Sequence, residues 1–240
     1  MYKRQLYAWL EEAGALKPGA ACFEIGPGTG QATAPVLARG AASLLALEPD
    51  PALAAHLRAA IPDTRLDVRC ETFEASDPPE GAFDFGFAAT SFHWLPRGKA
   101  LAKARRLLKP GGWLALWWNI YHDPREPDAF GRATEHLFEG VEQILAPDRT
   151  PFGLDAPART GEMRSAGFAD VRHAVFTQTV DFDPNGMAAL FATFSRVAKA
   201  PPARRERLLS EARRIAAEDF GGRVRRPIAC GAYLGRRPKP

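Results

Sequence analysis

The residues best suited to chemistry form a glycine-rich segment close to the N-terminus. Gly26, Gly28 and Gly30 alternate with other residues directly after the apolar run 20–25. Glycine allows backbone φ above zero and a close ligand approach to main-chain atoms, so this segment is typical of a ligand-binding turn between strand and helix. Gln31 stands where a dinucleotide-binding G-x-G-x-x-G loop has its third glycine, so the spacing does not favour a pyrophosphate ligand.

Glu48 is the second residue of this pattern with a chemical role. It ends the apolar run 43–48, where a carboxylate can accept hydrogen bonds from two ribose hydroxyls. NAD offers the same hydroxyls, so Glu48 alone does not distinguish between cofactors. Together with the glycines in one strand–helix–strand unit, it predicts a cofactor that contains adenosine.

Polar side chains also follow two later apolar runs. His93 comes after the run 83–90, and Tyr121 and His122 come after the run 113–118. Open α/β sheets bind ligands at the carboxyl ends of their strands, so these are candidate catalytic side chains. His93 is a candidate base or substrate-orienting residue, or it packs the start of the next helix. Tyr121 is either catalytic or an ordinary loop residue, and no metal site is predicted because the histidines and cysteines lack metal-ligand spacing.

Strands and helices alternate through the first half of the chain. The sequence predicts seven strands, at 20–25, 43–48, 66–70, 83–90, 113–118, 171–182 and 229–236, the sixth from alternating apolar and polar residues. Helical spacing of apolar residues predicts helices at 2–16, 31–38, 51–60, 98–108, 130–144, 183–197 and 208–220. This pattern predicts an α/β fold, Rossmann-like, with a seven-stranded, mostly parallel sheet and helices on both faces.

The later helices lie in two insertions, after strands five and six. We expect residues 1–240 to form a single domain with a cofactor-binding core at 20–118. The insertions at 119–160 and 183–225 are expected to form a helical cap. Phe152, Phe191 and Phe194 would line an apolar acceptor pocket there or fill the core of the cap.

Composition and charge exclude several classes of protein. Hydrophobic residues make up 46% of the 240 residues and charged residues 25%, as in a globular protein rather than a disordered one. No apolar run approaches the ~20 residues of a membrane span. Cys22, Cys70 and Cys230 are expected to be free thiols in a reducing cytoplasm. From Lys199 onwards 12 basic residues face 4 acidic ones, which is either the solvated face of a helix or a nucleic-acid-binding surface.

Four segments resemble the class I S-adenosylmethionine (SAM)-dependent methyltransferase superfamily, of the type 11-like kind. Residues 23–30 are similar to the first SAM motif, and residues 47–49 to the acidic ribose anchor. Phe83-Asp84 with residues 90–94 is similar to the strand-four segment, and residues 108–112 to the turn before strand five. Phe92-His93-Trp94 and the inserted helices are most similar to the trans-aconitate methyltransferase-like enzymes of small molecules.

This resemblance implies SAM as cofactor and S-adenosylhomocysteine as product. It implies contacts with the methionine part, the ribose and the adenine from Glu24, Gly26, Pro27, Gly28, Gly30, Gln31, Glu48, Pro49, Thr72, Phe73, Ala89 and Thr90. Glu24 would lie near the amino group, Glu48 at the ribose, and Ala89-Thr90 beside the methionyl group. Family members often carry a longer N-terminal lid, so the lid is expected to be short or to begin upstream of this sequence.

The implied function is methyl transfer to a small molecule that is partly apolar or a carboxylate, on oxygen, nitrogen or carbon. One alternative is an RNA methyltransferase that uses the basic C-terminal region. Base-amino methyltransferases of the superfamily usually carry Asn/Asp-Pro-Pro-Tyr/Phe after strand four, whereas residues 90–93 are Thr-Ser-Phe-His. The other alternative is a non-catalytic SAM-binding scaffold subunit. The sequence defines neither the acceptor nor the oligomeric state.

Overall fold

Seven strands form one sheet in the computed structural model, which describes all residues except 1, 122, 124, 126, 140–149 and 240. Their order is β3-β2-β1-β4-β5-β7-β6, and the four pairings from β3 to β5 are parallel. The predicted α/β class and seven-stranded sheet are therefore confirmed. The strands are β1 (Ala21–Ile25), β2 (Ser43–Leu47), β3 (Leu66–Arg69), β4 (Phe83–Ala89), β5 (Leu108–Ile120), β6 (Ala169–Phe182) and β7 (Val224–Arg236).

The register of the central strands brings three loops to one edge of the sheet. Ile25 of β1 pairs with Leu47 of β2, and Glu24 pairs with Phe87 of β4. Because the strands are parallel, the loops that follow β1, β2 and β4 all leave from this carboxyl edge. The glycine segment, Glu48 and residues 90–94 therefore begin at the same edge, where such sheets bind ligands.

Helices connect and cover the strands. In the helix after β2, the side chain of Asp50 accepts hydrogen bonds from the backbone N–H groups of Ala52 and Leu53, with Pro51 at the first position. This is a capped helix start of the kind that Asp-Pro favours. The helices are α1 (Tyr2–Glu12), α2 (Thr33–Ala38), α3 (Pro51–Ala60), α4 (Arg97–Leu107), α5 (Ala129–Thr134), α6 (Ala156–Ser165), α7 (Pro184–Ala192), α8 (Ser195–Ala198) and α9 (Pro202–Glu218).

The chain divides into two compact units. The first unit comprises residues 1–119, 155–176 and 230–240. Its core is built from side chains of α1 and α2 and of the strands, among them Leu10, Val36, Phe85 and Trp117. Phe85, Phe87 and Trp117 stack in sequence, with ring centroids 5.4 and 5.7 Å apart.

The second unit comprises residues 120–154 and 177–229. Its core is a cluster of buried side chains from α5, α7 and α9, among them Phe130, Met187, Phe191 and Ile215. Arg226 is almost fully buried and forms an ion pair with Asp128 at 2.8 Å. These ranges overlap the two predicted insertions, and the single domain with a cap stays a prediction.

Several predicted elements differ in the structure. Strand seven begins at Val224 rather than at residue 229, and the predicted helix 183–197 is divided into α7 and α8. Strand five begins at Leu108 rather than at residue 113, because the N–H of Gly111 donates to the carbonyl of Arg237, and the N–H of Arg237 donates to the carbonyl of Gly112. These bonds tie the Pro-Gly-Gly segment, with Gly111 at a φ of 83°, to the residue that directly follows β7. Helix α6 lies where no helix was predicted. Asp155 caps it by accepting from the N–H of Ala158, a signal that the apolar periodicity does not contain.

No helix of the described part of the chain is long and apolar enough to cross a membrane. The predicted helix 130–144 is present as α5, followed by a 3-10 helix over Glu135–Phe138. Its apolar positions Val141 and Ile144 lie outside the described residues.

Candidate functional site

The glycine segment turns between β1 and α2 with three glycines at positive φ. Gly26, Gly28 and Gly30 have φ of 64°, 57° and 83°, a region that residues with a side chain rarely adopt. A Cβ on Gly26 would lie 2.6 Å from the Cβ of Ser91, and one on Gly30 would lie 2.6 Å from Leu57 of α3. A Cβ on Gly28 would meet nothing within 4 Å. Gly26 and Gly30 are thus needed for packing, whereas Gly28 borders open space.

Glu48 joins the loops after β1 and β2. Its Oε2 accepts a hydrogen bond from the N–H of Gly28 at 2.9 Å, and its Oε1 accepts from the N–H of Asp50 at 3.0 Å. The residue is only 5% exposed. A buried carboxylate with these two donors has a fixed orientation beside the open space at Gly28. Each of these oxygens has a second lone pair, which can accept a hydrogen bond from a ligand hydroxyl.

Glu24 is fully buried at the end of β1. Its Oε2 accepts a hydrogen bond from the Thr33 hydroxyl of α2 at 2.6 Å. Its Oε1 accepts none from any residue that the structure describes. Desolvation raises the pKa of Glu24 to about 8; the Thr33 hydrogen bond opposes this rise, and the nearby Glu48 carboxylate adds to it. A buried carboxylate with one unsatisfied oxygen favours a cationic or donor group from a ligand.

The loop after β4 is tied closely to the glycine segment. Thr90 has φ of 60°, a left-handed conformation that is strained for a residue with a branched side chain. The next residue, Ser91, packs against Gly26, and its hydroxyl donates to the carbonyl of Ile25. Strain of this kind persists only when surrounding contacts hold it, and it is concentrated at functional sites.

His93 lies in a 3-10 helix, Phe92–Trp94, directly after this loop. Its Nδ1 accepts a hydrogen bond from the indole Nε1–H of Trp118 at 3.1 Å, and its ring lies 4.7 Å from that of Trp94, which is 66% exposed. Burial lowers the pKa of His93 from its ordinary value of 6.5. Since an indole N–H only donates, the neutral imidazole carries its proton on Nε2. The Nε2 atom is then a hydrogen-bond donor, which suits orienting an acceptor better than removing its proton.

Several other implied cofactor contacts differ in their exposure. Phe73 is buried and stacks on Phe23 with ring centroids 6.3 Å apart, so its ring belongs to the core of the first unit. The Thr72 hydroxyl accepts from the N–H of Ala75 at 3.2 Å. Pro49 and Gln31 are exposed, and Pro27 is buried. Of the Thr72-Phe73 pair, only Thr72 and the main chain are left to border a ligand.

Tyr121 belongs to the second unit. Its ring lies 6.3 Å from that of Phe194, which contacts Phe191 of α7 at 5.4 Å. His122 lies outside the described residues. Among the residues that the structure does describe, no group of three or more His, Cys, Asp and Glu could hold a metal ion.

Several charges of the basic C-terminal region are paired within their own unit. Arg214 of α9 forms ion pairs with Glu211 at 2.7 Å and Glu218 at 2.6 Å. Arg223 and Arg225 share Asp181, at 2.6 and 3.2 Å. Charges matched in this way favour a solvated surface over a phosphate-binding one.

Three contributing residues were not recognised from sequence. Thr33 carries no motif signal, and only the fold places its hydroxyl against Glu24. Ser91 lies within residues 90–94, which resemble the strand-four segment of the family, so its position was a usable signal. Trp118 was interpreted as the core or edge of strand five, and the structure adds a hydrogen bond from its indole to His93.

Comparisons with known proteins bear on the domain and the fold. Residues 23–116 match the family model of a methyltransferase domain. An uncharacterised methyltransferase of Schizosaccharomyces pombe is 24% identical over 210 residues, covering 88% of this chain and 79% of that protein.

Solved structures show the same fold. A proposed type II methyltransferase of Anaeromyxobacter dehalogenans is 20% identical, with a TM-score of 0.68 and coverage of 99% of this chain and 97% of that chain. Phosphoethanolamine N-methyltransferase 2 of Haemonchus contortus, solved in complex with SAM, is 14% identical with a TM-score of 0.58, covering 98% of this chain and 53% of that one. Residues 23–116 therefore carry a methyltransferase domain, and the chain as a whole has the fold of the class I SAM-dependent methyltransferases.

Proposed function

We propose that this enzyme transfers the methyl group of SAM to a small, partly apolar molecule, and that SAM binds at the glycine segment of the first unit. The observation that supports this best is the buried Glu24 carboxylate, whose Oε1 accepts no hydrogen bond from any described residue. It lies at the end of the strand that leads into three positive-φ glycines. An amino acid's ammonium group is the complementary partner for such an oxygen.

The residues of this edge fit the parts of SAM. The open space at Gly28 leaves room for a ligand against the backbone. Glu48 has a fixed carboxylate that suits the ribose hydroxyls. Gly26, Pro27, Gly30 and Gln31 would complete the methionine side, and Pro49, Thr72 and Phe73 the adenine side. Ala89 and Thr90 would border the methionyl group.

When bound, SAM supplies a methyl group that its sulfonium already activates. The protein then has to orient the acceptor and exclude water, which requires few catalytic groups. The Nε2–H of His93 would donate a hydrogen bond that orients the acceptor, since Trp118 holds the other ring nitrogen. Tyr121 is the second candidate for contact with the acceptor.

The remaining expectations belong to the same proposal. Residues 1–240 act as a single methyltransferase domain, with cofactor binding at 20–118 and acceptor recognition by the insertions at 119–160 and 183–225. The acceptor is a small molecule rather than a nucleic acid, which the paired arginines near the C-terminus support. Cys22, Cys70 and Cys230 form no disulfide within the described part of the chain, which suits a reducing cytoplasm.

Calorimetry tests cofactor binding first. We expect SAM and S-adenosylhomocysteine to bind with micromolar affinity, and Glu48→Ala to weaken both, while NAD gives no heat of binding. NAD binding without SAM binding would overturn the proposal. A panel of candidate acceptors with radiolabelled SAM, read by mass spectrometry, then identifies the methylated product. His93→Gln should lower its rate of formation and leave SAM affinity nearly unchanged.

A further inference from the structure

The ammonium group of Lys103, in α4, contacts oxygens of the turn at residues 72–76, which follows β3 in the first unit. Its Nζ donates to the carbonyls of Phe73 at 2.5 Å and Glu74 at 3.2 Å, to the carbonyl of Ser76, and to the Ser76 hydroxyl at 3.2 Å. The Ser76 hydroxyl donates its own hydrogen to the carbonyl of Phe73. Nζ is thus surrounded by acceptor oxygens, an arrangement suited to the three N–H donors of an ammonium group.

The turn is also closed by its own contacts. The N–H of Ser76 donates to the carbonyl of Thr72 at 3.0 Å, and the N–H of Ala75 donates to the Thr72 hydroxyl at 3.2 Å. Phe73 anchors the turn on β1, because its buried ring stacks on that of Phe23. Local bonds and one ring contact therefore define the turn, and the ammonium group binds the carbonyls at its far end.

The turn begins at the edge of the sheet that carries the glycine segment. Leu47 of β2 pairs with Arg69 of β3, and the N–H of Glu48 donates to the carbonyl of Arg69 at 3.0 Å. The chain therefore leaves β3 beside Glu48 and then enters the turn. Thr72, the first residue of the turn, is exposed, so this end of the turn is open to a ligand.

The direction of the backbone leaves donors in the first part of the turn. In a trans peptide group the C=O and the N–H point in opposite directions. The carbonyl of Phe73 points to Lys103, so the N–H of Glu74, which belongs to the same peptide group, points away from Lys103. Within the described part of the chain, the N–H groups of Phe73 and Glu74 donate to no acceptor. They are available to an acceptor atom of a ligand.

We propose that Lys103 is a positioning residue for the adenine of SAM. By holding the carbonyls of the turn, its ammonium group keeps the N–H groups of Phe73 and Glu74 in place for a purine ring nitrogen, which is a hydrogen-bond acceptor. The inference rests on the proposed function, in which Thr72 and Phe73 border the adenine. It adds a residue of α4 that acts on the cofactor through the backbone of another segment.

Calorimetry with deaza analogues of S-adenosylhomocysteine tests this on the full chain. The 1-deaza, 3-deaza and 7-deaza analogues each replace one ring nitrogen by C–H and thereby remove one hydrogen-bond acceptor. We expect the parent protein to bind at least one analogue about tenfold more weakly than S-adenosylhomocysteine, because an N–H of the turn then loses its partner.

Variants assign the effect to Lys103. Lys103→Met keeps a long side chain without the ammonium group. It should weaken S-adenosylhomocysteine about tenfold and leave the affected analogue nearly unchanged, so that the two ligands bind alike. Lys103→Arg keeps a cation with several donors and should be intermediate. Lys99→Met replaces an exposed lysine of the same helix, and this matched control should bind as the parent protein does.

A second site guards against a folding defect. Ser76→Ala removes one acceptor of the ammonium group and should narrow the difference between the two ligands about two- to threefold. Circular dichroism and melting temperature verify that each variant is folded. If Lys103→Met does not fold, unchanged discrimination in Ser76→Ala overturns the inference.

The ratio of the two affinities separates positioning from general stability. Equal weakening of S-adenosylhomocysteine and every analogue in Lys103→Met would overturn the inference, as would full discrimination in that variant or none in the parent protein. Absence of S-adenosylhomocysteine binding in the parent protein would overturn the proposed function and this inference with it. Normal binding that does not respond to Lys103→Met contradicts only the role of Lys103.

Discussion

The indole of Trp118 donates a hydrogen bond to Nδ1 of His93 over 3.1 Å, and this bond fixes the tautomer of the histidine. Because Nδ1 is the acceptor, the neutral ring presents Nε2–H to its surroundings. A residue that the sequence marked as a candidate base is therefore held as a donor. The strand-five tryptophan acts here as a positioning residue.

The first prediction concerns this tautomer. Nitrogen-15 NMR of labelled histidine should show His93 in the Nε2–H form at pH 7.5. Trp118→Phe removes the donor and should give a mixture of tautomers, together with a lower methylation rate at unchanged SAM affinity. Trp113→Phe, in the same strand, is the control for the general cost of replacing a buried tryptophan. A pure Nδ1–H form in the parent protein would contradict the assignment.

The free energy of unfolding should fall at acidic pH because His93 is buried. Burial lowers the pKa of the folded histidine, whereas the unfolded chain takes up a proton near pH 6.5. The unfolded state therefore binds more protons below that pH, and stability declines as pH falls from about 6.5 through the lower folded pKa. His93→Gln does not titrate, so denaturant unfolding at pH 7.5 and 5.5 should show a smaller loss for this variant. An equal loss would remove His93 as the cause.

Glu24 should couple cofactor binding to proton release. Its pKa of about 8 leaves it mostly protonated at pH 7, and a bound ammonium group would favour the charged carboxylate. We expect SAM binding at pH 7 to release up to about one proton, measured by calorimetry in buffers of different ionisation enthalpy. Glu24→Gln should abolish the release and weaken binding. Heats that do not depend on the buffer would argue against contact between Glu24 and the ammonium group.

The same carboxyl group should limit the stability of the ligand-free protein at high pH. A folded pKa raised above the ordinary value of 4.5 gives stability that is present below pH 4.5 and lost as pH rises through about 8. The stability of Glu24→Gln relative to the parent should therefore rise between pH 5 and 8, by at most about 1.4 kcal/mol per pH unit, and then level off. Thermal unfolding across this range provides the measurement, and a constant difference would contradict burial of an ionisable Glu24.

Two glycines of one loop should respond differently to the same substitution. Gly30→Ala places a Cβ 2.6 Å from Leu57 and 2.7 Å from Ile61, so overpacking adds to backbone strain and should cost about 2–4 kcal/mol of unfolding free energy. Gly28→Ala meets no atom within 4 Å and should cost only about 1–2 kcal/mol for its φ of 57°. Gly28→Ala should, however, weaken SAM binding at least about tenfold, because the new methyl group enters the open space. Calorimetry that finds unchanged SAM affinity in Gly28→Ala would place the cofactor elsewhere.

Local sequence determined the fold class and the first anchors of the site. Continuous apolar runs identified the strands, Asp50-Pro51 the start of α3, and the spacing of Gly26, Gly28 and Gly30 the binding turn. Apolar periodicity, helix capping and φ preference depend on residues that are close together in the sequence. The sequence alone therefore predicts them. The extension of β5 through Pro-Gly-Gly depended on hydrogen bonds to Arg237, more than a hundred residues away, and was not predicted.

Only the tertiary structure determined the protonation and the tautomer of the side chains at the site. The raised pKa of Glu24 comes from complete burial, and the tautomer of His93 comes from an indole 25 positions away. Desolvation and hydrogen-bond partners are properties of three-dimensional packing, which residue type and spacing do not specify. The sequence therefore identified the methyl donor, whereas the protonation of Glu24 and the tautomer of His93 depended on packing.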